Sequence, residues 1–96
     1  MIRFAWDEEK NLANQRKHHL SFELAARVFD DPLHLSILDR VVESEQRWQT
    51  MGAIGGIIVV VVAHTLHETD DETVIRIISA RKATRHERRR YEKEGG

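Results

Sequence analysis

The 96-residue chain has no cysteine and only one proline. Without cysteine it has neither a disulfide framework nor a thiolate zinc site, which suits a reducing, cytoplasmic setting. Its longest purely apolar run, residues 57–63, is seven residues long, where a membrane span needs about 20. The N-terminus turns acidic and polar after Trp6, unlike a signal peptide. The chain also lacks a phosphate-cradling glycine loop, a nucleophile elbow and an H-E-x-x-H spacing. Nucleotide-dependent phosphoryl transfer is therefore not expected, and neither is any metal or other cofactor. The nearest approach to a metal site, His64 and His67 with Glu68, Asp70 and Asp71, does not have the spacing of a known ligand set. At 41% hydrophobic and 32% charged residues, the composition is that of a globular chain, and one domain over residues 1–96 is expected.

The charge is unevenly spread. From Val74 to Gly96 there are 8 Lys/Arg against 3 Asp/Glu, and from Met1 to Thr73 there are 7 against 13. A net charge of −1 thus conceals a C-terminal quarter at +5 and a remainder at −6. Clustered cationic charge is the electrostatic footprint of a phosphate-binding surface.

The hydrophobic pattern predicts the element order β-α-α-β-β-β-β-α, an α+β class. Ile2–Trp6 reads as a short strand, and Asp7 caps a helix that runs to about His18 with little apolar content. Ser21 caps a second helix, in which Phe22, Ala25, Ala26 and Phe29 form an i, i+3, i+4, i+7 stripe. Asp30-Asp31-Pro32 ends it. Strands are predicted over residues 35–40, over 45–54 with a curl near Gly52, over 57–66, and over 73–80. Gly55-Gly56 marks a hairpin. Thr84-Arg85-His86-Glu87 is a capping box that opens a final helix. Short links between consecutive strands favour an antiparallel sheet.

The candidate functional residues gather on these elements. Alternation places Val74, Arg76, Ile78 and Ala80 on one face of the last strand, with Ile75, Ile77, Ser79 and Arg81 on the other. An arginine fixed on a strand offers a planar fork of donors suited to two phosphate oxygens. The alternative for Arg76 is an inter-strand ion pair with Glu45 or a helix carboxylate. His64 interrupts an apolar strand, sharing a face with Ile58, Val60 and Val62, and either caps that strand through hydrogen bonds or exchanges protons. His18 and His19 follow Lys17 at the end of the first helix, where a cation suits the helix dipole and a histidine can act as acid or base. Arg47 and Trp48 are neighbours on opposite strand faces, and Trp48 can stack a base. Residues 85–93 contain no apolar residue but Tyr91, so that helix is solvated or docked to a partner. Arg88 and Glu92 within it have ion-pair spacing.

Several motifs together resemble the BrnT family of toxins. They are Trp6-Asp7-Glu8-Glu9-Lys10-Asn11 with Asn14, Lys17-His18, Ser21-Phe22-Glu23, Ala25-Ala26 and Val28-Phe29-Asp30-Asp31-Pro32. Glu45-Gln46-Arg47-Trp48 with Gly52, the pair His64-Thr65, the run Arg76 to Thr84, Glu87-Arg88 and Tyr91 complete the resemblance, which covers nearly the whole chain. One departure is His19, where the family usually has a glycine before the aliphatic residue supplied here by Leu20. The resemblance implies a RelE-like fold and a metal-independent RNA endonuclease. It implies the toxin of a type II toxin–antitoxin system, which stops translation. The implied partner is a BrnA-like antitoxin in a 2:2 heterotetramer, with operator DNA contacted only through the antitoxin. On that reading Arg76 is the main clamp on the transition state, Arg47 and Arg81 are auxiliary cations, and His64 or His18 transfers protons. Lys17, Arg85, Trp48 and Tyr91 contact RNA. The competing reading is a non-catalytic module that binds nucleic acid or protein through the basic final helix.

Overall fold

The structure is a computed structural model and describes residues 1–95. Its elements are β1 (Ile2–Ala5), α1 (Glu8–His18), α2 (Phe22–Ala25), β2 (Leu35–Val42), β3 (Glu45–Ile54), β4 (Ile58–Glu68), β5 (Thr73–Lys82) and α3 (Arg85–Glu94). The class is α+β, with one five-stranded sheet in the order β1-β5-β4-β3-β2. The sheet is not antiparallel throughout, as the sequence pattern suggested. β1 runs parallel to β5, with Ile2 opposite Thr73 and Ala5 opposite Arg76. The helices between β1 and β2 carry the chain across the sheet. The meander therefore starts at the far edge, and its last strand arrives beside β1.

Local chemistry explains most of the boundaries. Asp7 accepts a hydrogen bond from Glu9 N, and Ser21 Oγ accepts one from Leu24 N. The Thr84–Glu87 capping box is formed in both directions. The stripe after Ser21 does not build one long α-helix. α2 is a single turn that tightens into a 3₁₀ segment, Ala26–Asp30. The reason lies in the spacing: Phe22, Ala25 and Val28 are each fully buried and recur every three residues, which matches the three-residue turn of that geometry.

These three side chains pack with Leu20 on Val60, Val62, Ile75, Ile77 and Ala80, forming the core on one face of the sheet. The 3₁₀ segment approaches β3 so closely that a Cβ on Gly52 would sit 2.7 Å from Val28 Cγ1. Gly52 therefore admits a neighbour, and β3 keeps its pairing with β4 through it.

α1 is anchored by amides rather than by apolar side chains. Its buried residues are Asn11 and Asn14. Asn14 Nδ2 donates to the carbonyls of Leu20 and Ala80, each at 2.8 Å, and its Oδ1 accepts from Ala80 N at 3.1 Å. Asn11 Oδ1 accepts from Phe22 N at 2.8 Å. α1 ends at His19, whose φ of 56° and ψ of 36° are left-handed. A glycine adopts that conformation without steric cost, whereas a residue with a Cβ is strained.

β5 departs from simple alternation. Its register against β4 shifts between Ala63 and His64, where Ser79 and Ile77 are the successive partners. Ile78 is thus the extra residue of a β-bulge. Ile75 and Ile77 face the helices, and so does Ala80. Arg76, Ile78 and Arg81 share the second face, which corrects the expectation that Arg76 and Arg81 oppose one another.

α3 closes one end of that second face, where Met51, Val59 and Val61 are buried. Two polar ties hold it. Arg81 makes paired hydrogen bonds to Glu87, at 2.7 and 3.0 Å. Tyr91 donates to Asp31 Oδ2, which also accepts from Ala53 N at 2.7 Å. The i, i+4 ion pair of this helix is Arg90–Glu94 rather than Arg88–Glu92.

Two stability predictions follow from these features. Replacing His19 by glycine should raise stability by about 0.5–1 kcal/mol, measured by denaturant unfolding, and a fall instead would mean that the side chain contributes more than its strained backbone costs. The Arg81 hydrogen bond holds the Glu87 carboxyl well down, at about 2. A depressed folded pKa stabilises the protein above the unfolded value near 4.5 and ceases to do so as pH falls toward 2. With screening of this partly exposed pair, Glu87→Gln should cost about 1–2 kcal/mol at pH 7, and the gap to the unmodified protein should close between pH 4.5 and 2. A gap that does not change with pH would show that the charge of Glu87 contributes nothing.

Candidate active site

The second face of the sheet, beyond the end covered by α3, brings together cations from three different elements. Thr65 lies opposite Arg76 in the β4–β5 register. Trp48 lies opposite His64, so Arg47 falls across from Thr65 on its other side. Arg47, Thr65 and Arg76 thus form a row over three adjacent strands. Lys10 from α1, Glu45 from β3 and Ile78 from the bulge complete a cavity of about 130 Å³. α1 reaches the cleft because Asn14 ties it to Ala80, four residues beyond Arg76 on β5.

The cations of this cleft are incompletely paired. Arg76 is exposed, and among the described residues no carboxylate lies within ion-pair distance of it. The expected alternative, an ion pair with Glu45, is formed by Arg47 instead, whose Nε lies 3.4 Å from Glu45 Oε1. That contact lacks hydrogen-bond geometry, and Arg47 Nε is a buried nitrogen with no hydrogen-bond partner. A buried guanidinium N–H without an acceptor costs free energy unless a ligand supplies one. A bound anion would satisfy it.

A second cavity, of about 230 Å³, continues from the first along α1 and β5 and shares Lys10 and Ile78 with it. Lys17, His18 and Ser79 line its far part. Lys10 and Lys17 are seven residues apart, two turns along one face of α1, and together they make one wall of a continuous cationic groove. Lys10 is the residue that reasoning from sequence missed. Its helical spacing from Lys17 was the available signal.

The remaining candidates lie elsewhere. Arg81 lies opposite Val61, four residues along β4 from Thr65 and so about 13 Å away. Its guanidinium is engaged by Glu87, which pushes its pKa up. Arg85 is exposed at the start of α3. Tyr91 is buried, and its hydrogen bond to Asp31 pushes its pKa up to about 12. With Arg27 and Arg88 it lines a cavity of about 640 Å³ beside the Gly55-Gly56 turn.

His64 and Trp48 face the opposite side of the sheet from Arg47 and Arg76. His64 is 3% exposed and packs edge-on against Phe29, with ring centroids 5.1 Å apart. Its Nδ1 is 3.1 Å from the Thr65 carbonyl, and its Nε2 is 2.7 Å from Thr50 Oγ1. A carbonyl can only accept, so Nδ1 carries the proton and Nε2 accepts from Thr50. Thr50 Oγ1 in turn lies 2.8 Å from Ser36 Oγ. Burial pushes the imidazole pKa down, against the hydrogen bond to Thr65, which raises it. Both ring nitrogens are occupied in this neutral state. With Trp48, Phe29 and His34, the ring lines a largely apolar cavity of about 350 Å³.

Thus the structure brings Arg47 and Arg76 together with Lys10, and places Lys17 and His18 along the same groove. It sets Arg81, Arg85 and Tyr91 with α3, and His64 and Trp48 on the other face. Among the described residues, no group of three or more His, Asp or Glu side chains is arranged to hold a metal ion. Among the described residues, no helix is long and apolar enough to cross a membrane.

Comparison with known proteins places this geometry in a family. No curated protein matches the chain. The crystal structure of the ribonuclease toxin BrnT of Brucella abortus, at 1.1 Å resolution, superposes with a TM-score of 0.62 at 26% sequence identity, covering 88% of this chain and 100% of that one. The family model for BrnT, the ribonuclease toxin of type II toxin–antitoxin systems, matches residues 6–87. That match runs from Trp6 through strands β2–β5 to Glu87 of the last helix, and the chain accordingly belongs to the BrnT family of ribonuclease toxins.

Proposed function

We propose that the cleft formed by Lys10, Arg47, Thr65 and Arg76 is the site of RNA cleavage, and that the reaction is metal-independent endonucleolytic transesterification. The observation that carries this reading is the convergence of three cations around the buried, partnerless Nε of Arg47. Cleavage passes through a phosphorane with extra negative charge on its equatorial oxygens. Donors fixed in advance stabilise that charge more in the transition state than in the ground state. Arg76 is the main clamp, because its guanidinium is free of carboxylate partners and held on a strand beside a bulge. Arg47 assists it. Lys17 and His18 contact the neighbouring RNA backbone along the groove. The two helices followed by a meander support reading the sheet as a RelE-like variant.

In the cell, such cleavage stops translation, and the toxin works in the cytoplasm. We assign its neutralisation to a BrnA-like antitoxin in a 2:2 assembly, which contacts operator DNA through the antitoxin alone. Exposed Arg85, Arg88, Arg89 and Arg90 on α3 suit docking to an acidic surface of that antitoxin. His64, with both nitrogens engaged, serves the fold in this reading rather than the chemistry.

The test is direct. Purified protein incubated with total RNA and EDTA should leave 2′,3′-cyclic phosphate ends. Arg76→Ala should lower cleavage by roughly 10²–10³-fold, equivalent to about 2.7–4 kcal/mol, while the unfolding midpoint stays within about 0.5 kcal/mol of the parent. Intact RNA with a gel shift would instead favour a non-catalytic binding module. Activity lost in EDTA would make the enzyme metal-dependent, and full activity of the Arg76 variant would move the site elsewhere.

A further inference from the structure

Cations alone do not deprotonate a 2′-hydroxyl. The reaction needs a base within hydrogen-bond reach of the ribose, and the cleft contains one carboxylate, that of Glu45. We infer that Glu45 is the general base of the ribonuclease reaction. This assignment rests on the reading of the cleft proposed above.

Four observations support it. Glu45 lines the cavity occupied by Arg47 and Arg76, and also an adjoining cavity with His67. Its side chain remains 56% exposed, so it lies open to a substrate instead of being consumed by the fold. Its ion pair with Arg47 lacks hydrogen-bond geometry, so both carboxylate oxygens remain free to accept a proton. The fourth observation is the turn that delivers it. Glu43 and Ser44 join β2 to β3, with φ of 49° and 68°. A two-residue hairpin with both central residues left-handed ordinarily uses Asn-Gly, so this one holds strained backbone immediately before Glu45. Strain kept at such a point signals a position that matters to function.

The groups facing Glu45 are Arg47 on its own strand, Lys10 from α1, Arg76 from β5, His67 from β4 and Glu43 from the turn. The proposed step balances as follows. Glu45 takes the proton of the 2′-hydroxyl, and the 2′-oxygen forms a bond to phosphorus. The bond from phosphorus to the 5′-oxygen breaks, and that oxygen takes a proton from solvent, to which the cleft is open. The products are a 2′,3′-cyclic phosphate and a 5′-hydroxyl, after which Glu45 returns its proton to water.

The experiment measures kcat/KM against pH for the parent, Glu45→Gln, Glu45→Asp, His67→Gln and Arg76→Ala. It also measures binding to a 2′-O-methyl RNA that cannot be cleaved. Glu45→Gln should lower cleavage about 10²–10³-fold, abolish the acidic limb of the profile and bind the 2′-O-methyl RNA at least as tightly as the parent. Glu45→Asp should recover part of the rate. A uridine 3′-(4-nitrophenyl phosphate) substrate, whose leaving group needs no proton, should not rescue Glu45→Gln. Rescue by that substrate would make Glu45 an acid and overturn the assignment. So would parent-like cleavage by Glu45→Gln, loss of RNA binding together with cleavage, or an acidic limb that disappears in His67→Gln and persists in Glu45→Gln. If Arg76→Ala is inactive while Glu45→Gln is not, the cleft reading stands and the base assignment fails. If Arg76→Ala cleaves normally, the cleft reading itself fails.

Discussion

The placement of the whole cationic face depends on one buried amide. Asn14 grips both backbone groups of Ala80 and the carbonyl of Leu20. Ala80 lies just past the bulge at Ile78, where β5 loses its regular pairing with β4. Ala80 is in register with Val62 on the β4 side, but β1 ends at Ala5, opposite Arg76, so the outer edge of β5 has no strand beside Ala80 and the asparagine supplies the partners. The same contact draws α1 against β5 and so sets Lys10 and Lys17 beside the sheet. The bulge at Ile78 is what brings Arg76 and Arg81 to one face. An apolar residue at position 14 would pack but would leave three backbone groups in the interior without partners.

The two faces of the sheet divide the labour. The helix side buries Phe22, Val28, Val60, Val62 and Ile77. The polar groups admitted there, Thr50 and His64, satisfy one another in a chain that ends at Ser36. Among the described residues, no buried side-chain donor on that side lacks a partner. On the second face the covered end is apolar, with Met51, Val59 and Val61, and the open end holds charges that outnumber their partners. Arg81 is part of the covered end, because Glu87 takes its fork in two hydrogen bonds. Arg47 and Arg76 are not satisfied in this way. The distinction between a structural arginine and one available to a ligand rests on which carboxylate reaches it.

What the sequence disclosed follows from how far its interactions reach. The capping box at Thr84–Glu87, the turn at Gly55-Gly56 and the strand Glu45–Ile54 depend on near neighbours and agree with expectation. The placement of Arg47 and Trp48 on opposite faces was legible from alternation. The parallel pairing of β1 with β5 spans some seventy residues, and no local pattern encodes it. Nor does any local pattern show that Asn14 reaches Ala80, 66 residues on, or that Tyr91 reaches Asp31, 60 residues back. α1 looked weakly anchored because apolar periodicity is blind to buried amides. Arg76 and Arg47 were both legible as candidates, but their convergence was not, since it needed the bulge and the register of three strands.

β2 is one of the two edges of the sheet, and Leu38 and Val41 on it are exposed. An open, apolar edge of this kind is a template for another strand, and unchecked it leads to aggregation. Here the register breaks between Leu38 and Arg40, and the residue at the break is Asp39. An incoming strand could pair with Leu35–Leu38 or with Arg40–Val42, but could not run past the charged irregularity between them. The irregularity at Asp39 and the charge it carries thereby blunt a border that would otherwise be one long open strand.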